Sequence, residues 1–361
     1  MPRPLPLAAA LTATALAAVT ASPASAATSH WKLTYDINAS RTLGNVSNGL
    51  ASVAALGPRD VWLAGSWDNV ARDFSAIQHF DGRRWRNTPL PAALTSKRNT
   101  ESGVDEVSAS SSGNVWAFAS TATNADGRMV HALRWNGRAW TVQHTWKRET
   151  SLFTGVTFGA KDTWAFGDGG LGAWHFNGST WRKVPTPGTI EQVSGVSSKN
   201  IWATTGRSVL HYDGRTWRAV KIGSGALDIR AVSARTASDV WAVGGVRSGT
   251  TETPVAFHWN GRSWTKYAGP RGKSAKAPLV AAVADGRGGA WLSRSSTVGG
   301  TDLFHLVKGK WVAQSPPKHR LGRPYFRTLA AIPHSPALWA IGVIEYGPAP
   351  FYDTVVYSGT R

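Results

Sequence analysis

The chain has no cysteine. That absence excludes a disulfide framework, thiolate metal sites, a Cys nucleophile and any cofactor built from a crosslinked cysteine. Acids are scarce as well: 21 Asp plus Glu stand against 40 Lys plus Arg, a formal net charge of +19. Charged residues are only 17% of the chain, below the roughly 25% of an average domain, so the positive sign comes mainly from missing acids. No apolar run long enough to span a bilayer occurs, and no amphipathic helix of useful length follows the first 26 residues. HExxH, P-loop and GxSxG motifs are absent from any place where they could work. The apolar fraction, 42%, is ordinary and excludes wholesale disorder.

Residues 1–26 read as a secretory signal. Arg3 supplies the positive start, Leu5 to Val19 is an apolar run, and Ala24-Ser25-Ala26 is the small-residue pattern before a cleavage site. The alternative, a membrane anchor, needs about 20 apolar residues, and this run is shorter. The expectation is a secreted mature chain, residues 27–361, held together by its core and sheet pairing alone.

Within it a tryptophan recurs in a fixed setting: Asp60-Val61-Trp62, Asn114-Val115-Trp116, Asp162-Thr163-Trp164, Asn200-Ile201-Trp202 and Asp239-Val240-Trp241, then two weaker copies ending at Trp291 and Trp339. The steps between these seven tryptophans are 54, 48, 38, 39, 50 and 48 residues. A second motif follows each, as in His79-Phe80-Asp81-Gly82 ending at Trp85 and His258-Trp259-Asn260-Gly261 ending at Trp264. Asp-Gly and Asn-Gly are strong hairpin signals because both residues tolerate positive φ. Each repeat therefore reads as four short antiparallel strands, the second carrying one Trp and the outermost the other. A period of about 40–50 residues with four strands per repeat predicts an all-β fold, a seven-bladed β-propeller of four-stranded antiparallel blades. The seventh repeat runs off the end at Arg361 before its outer Trp, and Trp31 is an orphan near the start. The ring is expected to close by the N-terminal strand around Trp31 completing the C-terminal blade, which removes both open edges. The large indoles are expected between blades.

Blade five carries the clearest family signature: Val240-Trp241-Ala242-Val243-Gly244-Gly245, then Phe257-His258-Trp259-Asn260-Gly261, then Trp264. The double glycine after an apolar strand, the aromatic before a turn and the Trp on the last strand resemble the kelch and galactose-oxidase type of propeller. Over residues 29–361 the chain looks like a divergent branch, similar to secreted, Trp-rich actinobacterial propeller proteins. The other blades depart from kelch at the double glycine. The resemblance implies a fold and a style of surface binding, not one function. Galactose-oxidase chemistry needs a Cys–Tyr crosslink, so that activity and its copper are excluded. No cofactor and no metal site is indicated.

His79, His175, His211, His258 and His305 fill one repeat position and so cannot converge on one site. They are expected to be partly buried and bonded to a neighbouring blade, while Asp60, Asp162 and Asp239 cap a turn. What varies between blades is more informative. The connections between second and third strands share one face with the blade-to-blade connections. The former are long in blades one, two, five, six and seven and almost absent in three and four. Blades seven and one are neighbours in the ring, and their loops carry Trp67, Asp68, Arg72, Asp73, Glu345, Tyr346, Tyr352 and Asp353. A loop Trp flanked by carboxylates suits a sugar face, and equally it folds over its own loop. The blade-to-blade connections are basic: Lys97, Arg98, Lys147, Arg148, Arg271, Lys273, Lys276, Lys318, Arg320, Arg323 and Arg327, with Trp146 beside the second pair. Together they would concentrate polyanions, although basic turns on the opposite face allow a generally cationic surface.

The expected function is a secreted, non-enzymatic binding propeller, possessing no membrane span and at home outside the cell or on its wall. Its partner is an extracellular polysaccharide or wall polymer, anionic in charge, or a secreted or surface protein, met by the long-loop face. The alternative is an extracellular carbohydrate-active enzyme, a lyase or hydrolase, with Asp68, Asp73, Glu345 or Asp353 as base. Secretion puts cytoplasmic nucleic acid out of reach, and self-repulsion favours a monomer.

Overall fold

Seven four-stranded antiparallel sheets stand in a ring in the computed structural model. It describes residues 18–19, 30–36, 46–69, 72–147, 153–168, 170–271, 276–295, 301–333, 335, 337–346 and 351–360. Blade one runs from its innermost strand Val46–Gly57 through Asp60–Asn69 and Arg72–Phe80 to Trp85–Asn87. Blades two to six repeat that order. Blade seven takes three strands from the C-terminal end, Tyr325–Ala331, Leu338–Tyr346 and Phe351–Thr360. Its outer strand is His30–Asp36, antiparallel to Phe351–Thr360 with Trp31 opposite Gly359. The ring thus closes around Trp31 as expected. In the expected leader, Ala18–Val19 pairs in parallel with Lys266 and Tyr267 of blade five's outer strand. No helix among the described residues is long and apolar enough to cross a membrane.

The second strands explain the close packing. Strands usually alternate buried and exposed residues, but these are covered on both faces. In blade one Trp62 and Ala64 join the cluster shared with blade two, while Val61 and Leu63 join the one shared with blade seven. Seven such clusters fill the seven interfaces between blades.

The two tryptophan series meet there. The outer-strand Trp of one blade lies edge-on to the second-strand Trp of the blade before it: Trp140 on Trp62, Trp181 on Trp116, Trp217 on Trp164, Trp264 on Trp202, Trp31 on Trp291 and Trp85 on Trp339. Their ring centroids are 5.6–6.3 Å apart and their planes cross at 80–90°. Each edge-on pair contributes about 0.5–1.5 kcal/mol beyond its buried area. Trp311 differs: it donates its indole N–H to the Ala268 carbonyl of blade five at 2.9 Å. Approach is close enough that Gly155 is required, since a Cβ there would run into the Phe118 ring of blade two.

Innermost strands have no fifth strand to pair with, so their open N–H groups need other acceptors. Hydroxyl and amide side chains of the preceding blade supply them. Val107 N–H donates to Ser52 Oγ at 2.8 Å, Thr157 N–H to Ser108 Oγ at 3.0 Å, Val232 N–H to Gln192 Oε1 at 2.7 Å and Ala234 N–H to Ser194 Oγ at 3.0 Å.

The Asp-Gly and Asn-Gly turns correct one expectation. Only the glycine has positive φ in five blades, for example Gly82 at 88°. Four residues separate the pairs Phe80 and Trp85, and Asp81 Oδ1 accepts the N–H groups of Arg83 and Arg84, both at 2.9 Å. The side chain does the capping that a second positive φ would otherwise have done. The two-residue turn with both residues at positive φ occurs in blade six, at Lys308 and Gly309.

Candidate binding face

The repeated histidines are structural, and their partner is not the one expected. Each bonds within its own blade rather than to a neighbour. Nε2 of His79, His175, His258 and His305 lies 2.8–2.9 Å from a carboxylate of Asp60, Asp162, Asp239 and Asp285, and His211 lies 3.2 Å from Asn200 Oδ1. Each ring stacks on the second-strand Trp of its blade with centroids 4.0–4.4 Å apart. The acid therefore does more than cap a turn. Asp60 accepts from His79, from the Trp62 indole and, across the interface, from Ser112 Oγ of blade two. Burial alone would raise its pKa, but these bonds together hold it below the usual carboxylate range. Blade six has glycine, Gly289, where blades one, three and five have the acid, and Asp285 bonds His305 in its place. Blade two has Arg134 over Trp116 at the histidine position.

The opposite end of the blades is irregular. Segments expected as long loops in blades one, two, five and seven are paired strands, so the rim is made of stiff ribbons. Asp60–Asn69 pairs with Arg72–Phe80 down to Asn69 opposite Arg72, and Leu338–Tyr346 pairs with Phe351–Thr360 down to Tyr346 opposite Phe351. In blade four the matching strands, Asn200–Thr204 and Val209–Tyr212, are four or five residues long.

The structure sorts the candidates on this face. Trp67, opposite Phe74, is half-buried against the cluster of blades seven and one. Asp68 is exposed and stands opposite Asp73. Burial raises the Asp73 pKa, and the charges of Asp68 and Glu101 add to that. Glu345 is exposed and pairs in register with Tyr352, itself exposed. Asp353 is buried within blade seven. Trp146 corrects the stacking expectation: it is 6% exposed, packed against Trp174, Trp181 and His144, and belongs to the core. Lys147 beside it is exposed. Arg148 and Lys273 lie outside the described residues, as do the side chains of Arg72 and Tyr346.

Two of the basic connections meet at one place. Arg271 from the connection into blade six, and Lys318 and Arg323 from the connection into blade seven, line a cleft of about 390 Å³. Arg320 is exposed on the same connection. Arg294 and Asp302 on the blade-six hairpin complete the polar lining, and Phe304, Phe326 and three prolines make the walls.

A second space, about 610 Å³, is the central channel. Asp105 and Glu106 of blade two and Glu191 of blade four face it, with Arg230 and Arg327 from blades five and seven. Burial among the blades pushes the Asp105 carboxyl up to about 6 and the Glu106 carboxyl up to about 7, although Ser52 and Thr154 donate to Glu106. Among the described residues no three His, Asp or Glu side chains gather as a metal site would require.

Arg294 and the Asp105–Glu106 pair escaped the sequence reading, yet signals existed. Three residues after the second-strand Trp other blades have Gly65, Ala119, Gly167, Thr205, Gly244 and Gly342, and only blade six has an arginine. Likewise Val104-Asp105-Glu106-Val107 sets two acids in an innermost strand otherwise rich in small and apolar residues.

No protein-family model matches the chain, and no curated protein sequence does. Solved structures do. A GH74 xyloglucanase from Xanthomonas campestris matches with a TM-score of 0.60 and 13% identity over 87% of this chain and 53% of its own. The extracellular domain of a hybrid two-component system protein from B. thetaiotaomicron matches with a TM-score of 0.54 and 12% identity over 89% of this chain and 42% of its own. The SapL1 lectin, in complex with alpha methyl fucoside, matches at 0.47 and 13% over 75% of this chain and 97% of its own. This chain thus spans about half the length of the xyloglucanase. At such identities the likeness shows the propeller fold alone.

Proposed function

We propose that the protein is a secreted, non-enzymatic binding propeller that holds an anionic extracellular or cell-wall glycan on the face carrying the tall hairpins. A divergent kelch-type ancestry fits its Trp repeat and the double glycine of blade five. The observation that carries the reading is the gathering of Arg271, Lys318 and Arg323 around one cleft on that face. Cations from separate connections create a positive field where a polymer can be held by several weak contacts. The rigid ribbons of blades one and seven rise from the same face and offer Asp68, Glu345 and Tyr352 for hydroxyl contacts. Binding of the purified protein to wall polymers and acidic polysaccharides tests this at low and physiological salt. Retention that weakens as salt rises is the expected result. Equal retention of neutral and anionic polymers at both salts would overturn it.

The enzymatic reading rests on a separate observation, the raised Asp73 carboxyl opposite Asp68. A carboxyl acid facing a second carboxylate is what sugar hydrolysis uses. Release of reducing ends from a polysaccharide, abolished in Asp73→Ala, would support it, and an unchanged rate in that variant would end it.

A further inference from the structure

We propose that the cleft between blades six and seven is a subsite for an acidic sugar or polyol unit, a hydroxylated carboxylate or phosphate, in which Arg271, Lys318 and Arg323 take the anionic group and Asp302 takes the hydroxyls. The inference rests on the binding reading above and narrows it to one cleft and one ligand chemistry.

Its base is a buried charge. Arg294 is 2% exposed and its guanidinium lies over the Phe304 ring at 4.9 Å. Nη1 donates to the Pro270 carbonyl at 2.6 Å and Nη2 to Asp302 at 2.7 Å, while Nε has no partner. Taking a guanidinium out of water is costly, and here the Pro270 carbonyl and the Asp302 carboxylate offset that cost. What it achieves locally is to fix Asp302, whose side chain is 27% exposed, as a neutralised and oriented acceptor at the cleft.

Around this pair stand three further cations. Arg271, Lys318 and Arg323 are exposed, and none forms an ion pair among the described residues. Four cations and one carboxylate leave the cleft with a net charge of +3. The loop that carries two of them is tied down. His319 is buried and bonds to Asp36 at 3.1 Å, its Nδ1 accepts from Leu321 N–H at 3.2 Å, and Tyr357 donates its hydroxyl to the Pro317 carbonyl at 3.1 Å. Pro316, Pro317 and Pro324 stiffen the wall further. Cations on a fixed loop lose little freedom on binding.

Asp302 sets the ligand class. A simple anion placed among the cations would face the carboxylate with no proton to offer it. A hydroxylated anion satisfies both sides, with donors for Asp302 and an acceptor group for the arginines and lysine. A volume near 390 Å³ suits a small ligand such as one or two sugar units. Both a uronate and a sugar or polyol phosphate have this chemistry.

Titration calorimetry of the purified protein against galacturonate oligosaccharides, a glycerol-phosphate polymer, a neutral oligosaccharide and inorganic sulfate tests the inference. The first two arms distinguish carboxylate from phosphate sources. One of them is expected to bind well ahead of the neutral oligosaccharide and of sulfate. Lys318→Ala with Arg323→Ala changes two exposed residues and is expected to weaken that binding about tenfold or more. Asp302→Asn is expected to move the arms in opposite directions, weaker for the acidic sugar and stronger for sulfate, with its fold checked by thermal melting. Arg215→Ala on the opposite face serves as the control and is expected to change nothing. Full affinity in the Lys318/Arg323 double variant would overturn the cleft while leaving the wider binding reading intact. Sulfate binding as tight as the glycan would overturn the acidic-sugar assignment. Failure of every anionic glycan with the unaltered protein would overturn both readings together.

Discussion

The two ends of each blade obey different rules. At one end five blades build the same station, a histidine stacked on a tryptophan and bonded to an acid or amide of its own blade. At the other end the hairpins range from the short strands of blade four to the long ribbons of blades one and five, and the cations Arg271, Lys318 and Arg323 gather at one cleft. A group satisfied inside its blade can be copied round a ring without consequence. A group that meets a ligand must differ from its copies, because a single ligand occupies only part of the ring. Repetition therefore marks the scaffold and irregularity marks the site.

The largest effect should come from breaking the repeated end. Trp241 is fully buried between blades five and six, and Trp241→Ala should cost about 3–5 kcal/mol in denaturant unfolding. Loss of under about 1 kcal/mol would show that the interface collapses onto the hole. Next comes Gly289→Ala. The added Cβ would run into the Leu306 carbonyl and the Asp285 carboxylate, displacing the acid from His305 at a cost of about 1–3 kcal/mol. Gly113→Ala, where a Cβ meets nothing, should be nearly neutral by the same measurement.

Between the two ends sits the channel. Glu106 titrates at about 7 in the fold, above its ordinary value of 4.5, so the folded state binds its proton more tightly than the unfolded chain does. Its stabilising contribution is present below about 4.5 and is lost as pH rises towards about 7. Glu106→Gln should flatten that fall in a series of melts across this range, and an unchanged slope would remove Glu106 as its source. A small effect is expected for Asp60→Asn, because blade four already uses Asn200 to accept from both His211 and Trp202. A cost under about 1 kcal/mol at neutral pH is expected. Since the Asp60 pKa is lowered in the fold, its added stability disappears only as pH falls below the ordinary value of 3.8, and the variant should lack that acid sensitivity.

How legible each part was follows from the distance over which it is decided. The blade count, the four strands of each blade and the closure by Trp31 were readable because the second-strand Trp recurs seven times and is followed in five of the blades by an Asp-Gly or Asn-Gly turn and a second Trp. The tall hairpins were located correctly but taken for loops, since Asn69 pairing with Arg72 depends on a ribbon that turn residues alone do not announce. Trp146 looked like a surface aromatic because it stands next to Lys147, yet it packs against Trp174 and Trp181 of blade three.

Sequence by itself determined the architecture, because local hydrogen-bonding and apolar periodicities repeat and add. Only the tertiary structure decided the chemistry of the face. Arg271, Arg294, Lys318 and Arg323 come from three segments up to 52 residues apart, and their common cleft exists only once blades six and seven pack. Charges so separated in the chain carry no mutual signature until the fold sets them around one cleft, where their fields add.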